Sequence, residues 1–196
     1  MEGCGKSTQS RRLYQRLVKL AVPALLTHEP GVTDLGERIT RLLKWSGEMK
    51  ISPLAELLLF NASRAQLVRE VLKPALAEGK VVICDRYADS TMAYQGYGRG
   101  LDMATIKSVN EIGTQELQPD LTFLLDMPGG AGLARKDDKR SDRFHAETAA
   151  FHRRVREGYL KMAKDEPGRW LVIDATKSKE EIAGIIWQRV SKLLPR

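Results

Sequence analysis

The chain is short of the residues that most often announce chemistry. Two cysteines, Cys4 and Cys84, occur in 196 residues. That is too few for a disulfide framework, so a disulfide-stapled secreted scaffold is excluded and reduced thiols are expected. No apolar run approaches the roughly 20 residues needed to cross a bilayer, and the N-terminus lacks a basic-then-apolar leader, so a cytoplasmic protein with no membrane partner is expected. The three histidines, His28, His145 and His152, form neither a zinc-spaced set nor part of a Ser/His/Asp set. Repeats, low-complexity tracts and Pro/Gly/Ser-rich linkers are also missing, so residues 1–196 are expected to form a single domain.

What is present is an ordinary globular composition, 42% hydrophobic and 29% charged, with a formal net charge of +7. A basic balance suits nucleic-acid binding and equally suits an enzyme that collects two polyanionic substrates, so its clustering matters more than its sign. The clearest cluster is Arg135 to Arg143, where five basic residues face Asp137, Asp138 and Asp142; a solvated charged loop is the plain alternative. No helix shows a dense basic face interleaved with aromatics, so no nucleic-acid partner is expected.

Helices and strands are expected in alternation. Leu13, Leu17 and Leu20 mark a helix over 8–20, Ala24 to Thr27 a short strand, and Gly31 and Gly36 a loop entering another helix. The firmest helix is 53–73, with apolar residues at 54, 57, 58, 65, 68, 71 and 72, Ser52 as N-cap and Pro53 at the first helical position. Lys80 to Cys84, Leu121 to Asp126 and Trp170 to Asp174 are apolar runs of the kind found in buried parallel strands. Helices are expected near 102–115, 144–164 and 178–193. The pattern is an α/β fold: a three-layer, P-loop-NTPase-like parallel sheet with helices on both faces.

Chemistry enters where strands give way to loops and helices. Gly5, Lys6 and Ser7 supply the second half of GxxxxGK[S/T], the loop whose amides and helix N-terminus cradle phosphate. Its first glycine would fall one position before Met1, so the sheet is expected to lack its first, central strand; a chance Gly-rich start is the alternative. Asp85-Arg86-Tyr87 follows a strand at its carboxyl end, where a carboxylate can serve Mg²⁺ and an arginine can clamp a phosphate, or where the two simply form a salt bridge. Phe60 and Arg64 stand four apart on the long helix and so share a face, as base-binding groups or as core. Ser90, Tyr94 and Gln95 add polar donors before a Gly96, Gly98, Gly100 run that reads as a flexible, polar loop.

The segments EGCGKSTQ, EPGVT, LLLFNASRAQLV, CDRYADSTMAYQG, LLDMP and DRFHAE, in that order and spacing, resemble bacterial thymidylate kinases along essentially the whole chain. The resemblance implies transfer of the γ-phosphoryl group of ATP to dTMP, with Mg²⁺ as cofactor and a homodimeric assembly. It places Gly3, Cys4, Gly5, Lys6, Ser7 and Thr8 on ATP, with Ser7 and Asp85 serving the metal. Arg86 would grip the acceptor phosphate and Glu2 would face the acceptor. Phe60 would stack on thymine, Arg64 would donate to a thymine carbonyl, Ser90 and Gln95 would read the base, and Tyr94 would crowd the sugar. A lid over 135–143 would offer Arg135, Lys136 and Arg140 to the transition state, with Arg143 on adenine. Two positions depart from the family pattern: His28 stands where arginine is usual before EPG, and Val32 where a second glycine is usual. Kinases acting on dUMP, CMP or UMP, and an inactive nucleotide-binding remnant, are the alternatives.

Overall fold

A computed structural model describes residues 3–45, 49–127, 143–144 and 146–194. The expected elements Glu2, Arg135, Lys136 and Arg140, together with most of the 135–143 segment, lie outside the described residues.

Helix α1 (Lys6–Lys19) opens directly from Gly5, whose φ of 91° is a left-handed conformation open to glycine. Strand β1 (Ala24–His28) pairs in parallel with β2 (Val81–Asp85), Ala24 opposite Val81 and His28 opposite Asp85. Strand β3 (Thr122–Asp126) pairs in parallel with β4 (Trp170–Asp174). Successive side chains of a strand point to opposite faces. Leu124 accordingly joins Phe151, Val155, Tyr159 and Met162 of α7 (Ala149–Asp165), while Leu125 joins Ile182 and Ile186 of α8 (Lys179–Val190). The β3–β4 pair is therefore covered on both faces. Cys4 and Leu13 belong to the α8 side of this packing, and α1 also lies against β1 and β2, so the first helix joins the β1–β2 pair to α8.

Capping explains where the helices begin. Ser52 accepts from Ala55 N at 3.3 Å to start α3 (Pro53–Leu67), with Pro53 in the first turn as expected. Asp102 caps α6 (Met103–Thr114), Thr148 caps α7, and Ser178 and Glu181 form a reciprocal capping box on α8. Thr148 also moves the start of α7 from the expected 144 to 149. The long helix outruns its expected end at 73. It widens into a π-helical stretch, Val68–Leu72, and resumes as α4 (Lys73–Ala77). Pro74 has no N–H to give and its ring crowds the carbonyl four residues back, which favours the wider turn there.

The stretch expected as a flexible loop around Ser90 is ordered instead. Helix α5 (Ala88–Thr91) runs into a π-helical segment, Met92–Gly98. Its glycines serve contact rather than freedom: a Cβ on Gly98 would sit 2.6 Å from the Phe151 ring and 2.9 Å from Val155. Opposite them, Gly158 of α7 receives Tyr97, whose own Cβ would lie 2.7 Å from an added methyl. That neighbour is anchored near its backbone and cannot swing away. Replacing Gly158 by alanine is expected to lower unfolding free energy by about 1–3 kcal/mol, read by urea denaturation. An unchanged midpoint would show that the Met92–Gly98 segment is not clamped by α7.

Candidate active site

A cleft of ≈ 690 Å³ opens where the helix N-terminus, the ends of β1 and β2, and the face of α3 meet. Lys6, Ser7, His28, Phe60, Arg64, Asp85, Arg86, Ser90, Tyr94 and Gln95 all line it, so residues from Lys6 to Gln95 converge on one cleft. Its size suits a nucleotide.

At the phosphate end, Gly3 and Gly5 both take positive φ, turning the backbone into a loop that feeds α1. The N–H groups of the first turn and the helix dipole favour an anion there, and Arg16 and Lys19 complement the dipole at the other end. Lys6 approaches Cys4, its Nζ 3.8 Å from the sulfur. Ser7 Oγ donates to Asp85 Oδ2 at 2.5 Å, while Asp85 Oδ1 is buried with no hydrogen-bond partner among the described residues. A hydroxyl and a carboxylate with a spare oxygen, beside a phosphate cradle, are the hard ligands a magnesium ion takes together with phosphate oxygens and water. The donor set fits that ion.

Arg86 follows Asp85 with φ 75°, an uncommon left-handed conformation at a strand end that stores strain typical of binding sites. Its guanidinium lies over the Tyr94 ring at 5.3 Å and donates to the Tyr94 hydroxyl at 3.4 Å. Tyr94 is itself held edge-on by Phe144, Phe151 and Tyr159. Ser90 Oγ accepts from Tyr159 at 2.9 Å, and burial pushes the Tyr159 hydroxyl well up from its ordinary range, so it stays a donor. Phe60 packs against Phe144 with ring centroids 5.8 Å apart.

Arg64 is 1% exposed and spends every one of its N–H groups inside the protein. Nε and Nη2 engage Glu29 at 2.8–3.1 Å, Nη1 reaches Asn61 at 2.9 Å and Asn110 at 3.0 Å, and Nη2 also reaches Thr91 at 2.9 Å. The resemblance assigns Arg64 to a thymine carbonyl; the structure makes it the tie between the Glu29 loop and three helices. Burial raises the Glu29 carboxyl, opposed by the guanidinium it faces. Cys84 beside them is pushed well above the ordinary thiol range, chiefly by burial and also by Glu29.

A second ionic group sits behind Gln95. Glu56, fully buried, accepts from Gln95 Nε2 at 2.7 Å, from Arg99 Nε at 3.2 Å and from Arg143 Nη2. Arg143, assigned to adenine by the resemblance, is held here on Glu56 and over the Phe144 ring at 5.1 Å, with Nε on the Leu43 carbonyl. Glu56, Phe60 and Arg64 recur every four residues on α3, a stripe at helical spacing that puts two charges and a ring on one face. That signal was available for Glu56. Tyr159, Asn110 and Arg99 carried none, because each comes from a separate element.

A family model described as Thymidylate kinase matches residues 1–186. The chain is 56% identical over 193 residues to a thymidylate kinase of Dehalococcoides mccartyi, covering 98% of this chain and 93% of the relative. It is 47% identical over 192 residues to one of Deinococcus radiodurans, covering 97% and 93% respectively. A crystal structure of thymidylate kinase from Ehrlichia chaffeensis superposes with a TM-score of 0.75 at 34% identity, covering 100% of this chain and 94% of that one.

Val32 stands out against this background. Its φ is 76°, a conformation that suits glycine, and a β-branched side chain is strained there; its N–H is held by Glu37 at 3.1 Å. Strain of about 1–3 kcal/mol less roughly 0.5–1 kcal/mol of glycine entropy leaves an expected net gain of about 1 kcal/mol for Val32→Gly. Denaturant unfolding checks this; equal or lower stability would show that the loop relaxes around valine.

Proposed function

The chain belongs to the thymidylate kinase family and phosphorylates dTMP to dTDP with ATP as donor, and from that premise we propose how its own residues carry the transfer. The observation that carries the reading is the convergence of the α1 N-terminus and the Asp85–Arg86 strand end on one cleft with Phe60, Tyr94 and Gln95.

Lys6 and the loop amides at Gly3, Cys4, Gly5, Ser7 and Thr8 hold the ATP phosphates. Arg86 holds the acceptor phosphate, its direction set by the Tyr94 ring. Phe60 stacks on the base, Ser90 and Gln95 supply polar contacts, and Tyr94 closes the space beside the sugar. A magnesium ion held by Ser7 and Asp85 would neutralise phosphate charge during transfer. The acceptor phosphate, with a second pKa of about 6, is already a dianion near neutral pH, so no general base is needed and positioning dominates. Glu2, Arg135, Lys136 and Arg140 remain assigned through the family resemblance, the last three as lid residues that stabilise the transferring phosphoryl group.

We assign the two strand pairs to one P-loop sheet with a further strand position between β2 and β3, in a single domain. Support comes from α1, which packs on β1 and β2 and against α8, the helix that covers one face of the β3–β4 pair, and from the parallel pairing within each pair. A cytoplasmic homodimer is the proposed state: among the described residues no helix is long and apolar enough to cross a membrane, and α3 exposes Leu54 and Leu58 one turn apart beside α2 (Asp34–Trp45), which exposes Leu35 and Leu42.

A coupled ADP-release assay with dTMP, dUMP, CMP and UMP tests the acceptor assignment. Preference for dTMP is expected, and dependence on a ribonucleotide would contradict it. Arg86→Ala is expected to lower kcat/KM for dTMP roughly tenfold to a hundredfold, the scale of a lost charge-assisted contact. Unchanged kinetics would remove Arg86 from the acceptor site.

A further inference from the structure

Gln95 lines the cleft yet is only 1% exposed. Its amide can present either of two opposite faces to a ligand, oxygen or nitrogen, and nothing in a glutamine itself chooses between them. Here the choice is made from behind. Glu56 lies between the guanidinium groups of Arg99 and Arg143, and Arg99 is braced in turn by Glu147 at 2.5 Å. A carboxylate so placed accepts and does not donate. Gln95 must therefore turn its NH2 to Glu56, and the 2.7 Å contact shows that it does. The amide oxygen is left without a hydrogen-bond partner among the described residues, at the wall of the cleft.

The neighbouring groups make this oxygen matter. All five N–H groups of Arg64 are committed to Glu29, Asn61, Asn110 and Thr91, whereas Ser90 Oγ, accepting from Tyr159, keeps its own O–H to donate. Among Arg64, Ser90 and Gln95, the Gln95 amide oxygen is the group that can only accept. Thymine and uracil carry an N3–H donor. Cytosine carries a bare N3 acceptor at the same place, which would meet the amide oxygen lone pair to lone pair.

We propose that Glu56 is a positioning residue for base selection: it locks the Gln95 amide with its oxygen toward the cleft, so that the site takes pyrimidine monophosphates bearing N3–H and rejects cytosine. This rests on the acceptor-site assignment above and adds the group that sets its polarity. A site built around a buried hydrogen-bonding group rejects a mismatched partner far more strongly than an apolar pocket does, because the mismatch leaves that group unpaired.

The test is the ratio of kcat/KM for dTMP to that for dCMP in wild type, Glu56→Gln and Glu56→Asp. A glutamine at 56 can donate as well as accept, which frees Gln95 to turn over; aspartate remains an acceptor. The preference is expected to fall at least about tenfold in E56Q and to be kept in E56D, even where both variants lose turnover. Parallel losses on both nucleotides in E56Q, with the ratio intact, would overturn the proposal while leaving the dTMP assignment standing. Wild-type enzyme without dTMP activity would overturn that assignment too. If E56Q does not fold, hydrogen exchange of the labelled Gln95 side-chain amide in the wild type decides the matter. One slowed proton in the free enzyme supports the lock, and two protons exchanging at the rate of a solvated amide overturn it.

Discussion

The ion pair between Arg64 and Glu29 is the constraint around which the acceptor half of the molecule is arranged. Both side chains are almost wholly withdrawn from water, 1% and 5% exposed. Taking two charges out of water costs several kcal/mol apiece, and the cost is recovered only when every remaining donor and lone pair is matched. The fold meets that condition with Asn61, Thr91 and Asn110, whose parent elements are α3, α5 and α6. Asn61 and Asn110 in turn hand their own N–H groups to the Leu57 and Ala88 carbonyls. One cation thus ties the loop after β1 to three helices, and the cleft takes its shape from that tie.

The two halves of the site differ in character for a physical reason. The ATP side is made of backbone: a glycine-rich turn, a helix N-terminus and Ser7 against Asp85, all suited to a phosphate whose geometry is the same in every nucleotide. The acceptor side is made of side chains fixed by other side chains, because a base must be distinguished by shape and by donor and acceptor pattern. Tyr94 stands among three aromatic rings, Ser90 leans on Tyr159, and Gln95 is backed by the Glu56 carboxylate. Backbone sites tolerate neighbours; side-chain sites need a supporting shell.

That difference also explains what was legible in the sequence. The strands, the long helix with its Ser52 cap, the half P-loop and the Asp85–Arg86 strand end are local patterns, and each was readable from spacing. Val32 was readable as a strained position because its family partner is glycine, and its φ bears this out. The Met92–Gly98 segment was misread as flexible because glycine signals both freedom and close contact, and only the Phe151 and Val155 side chains facing it separate the two. Arg64 was read as reaching outward. Apart from Asn61 on the same helix, its partners lie 27 to 46 residues away in sequence, so no spacing rule could show that its donors are spent. Glu56 had a helical-stripe signal that was legible in principle, whereas its partners Arg99 and Arg143 come from other elements and were not.

The central claim, that Arg64 is a buried structural tie rather than an outward-facing base reader, is tested most directly by measuring the unfolding free energy of Arg64→Met without nucleotide. Removing one partner of a buried pair leaves Glu29 charged and unmatched, so a loss of about 3–5 kcal/mol is predicted. Wild-type stability combined with lost dTMP binding would contradict the account and return Arg64 to the base.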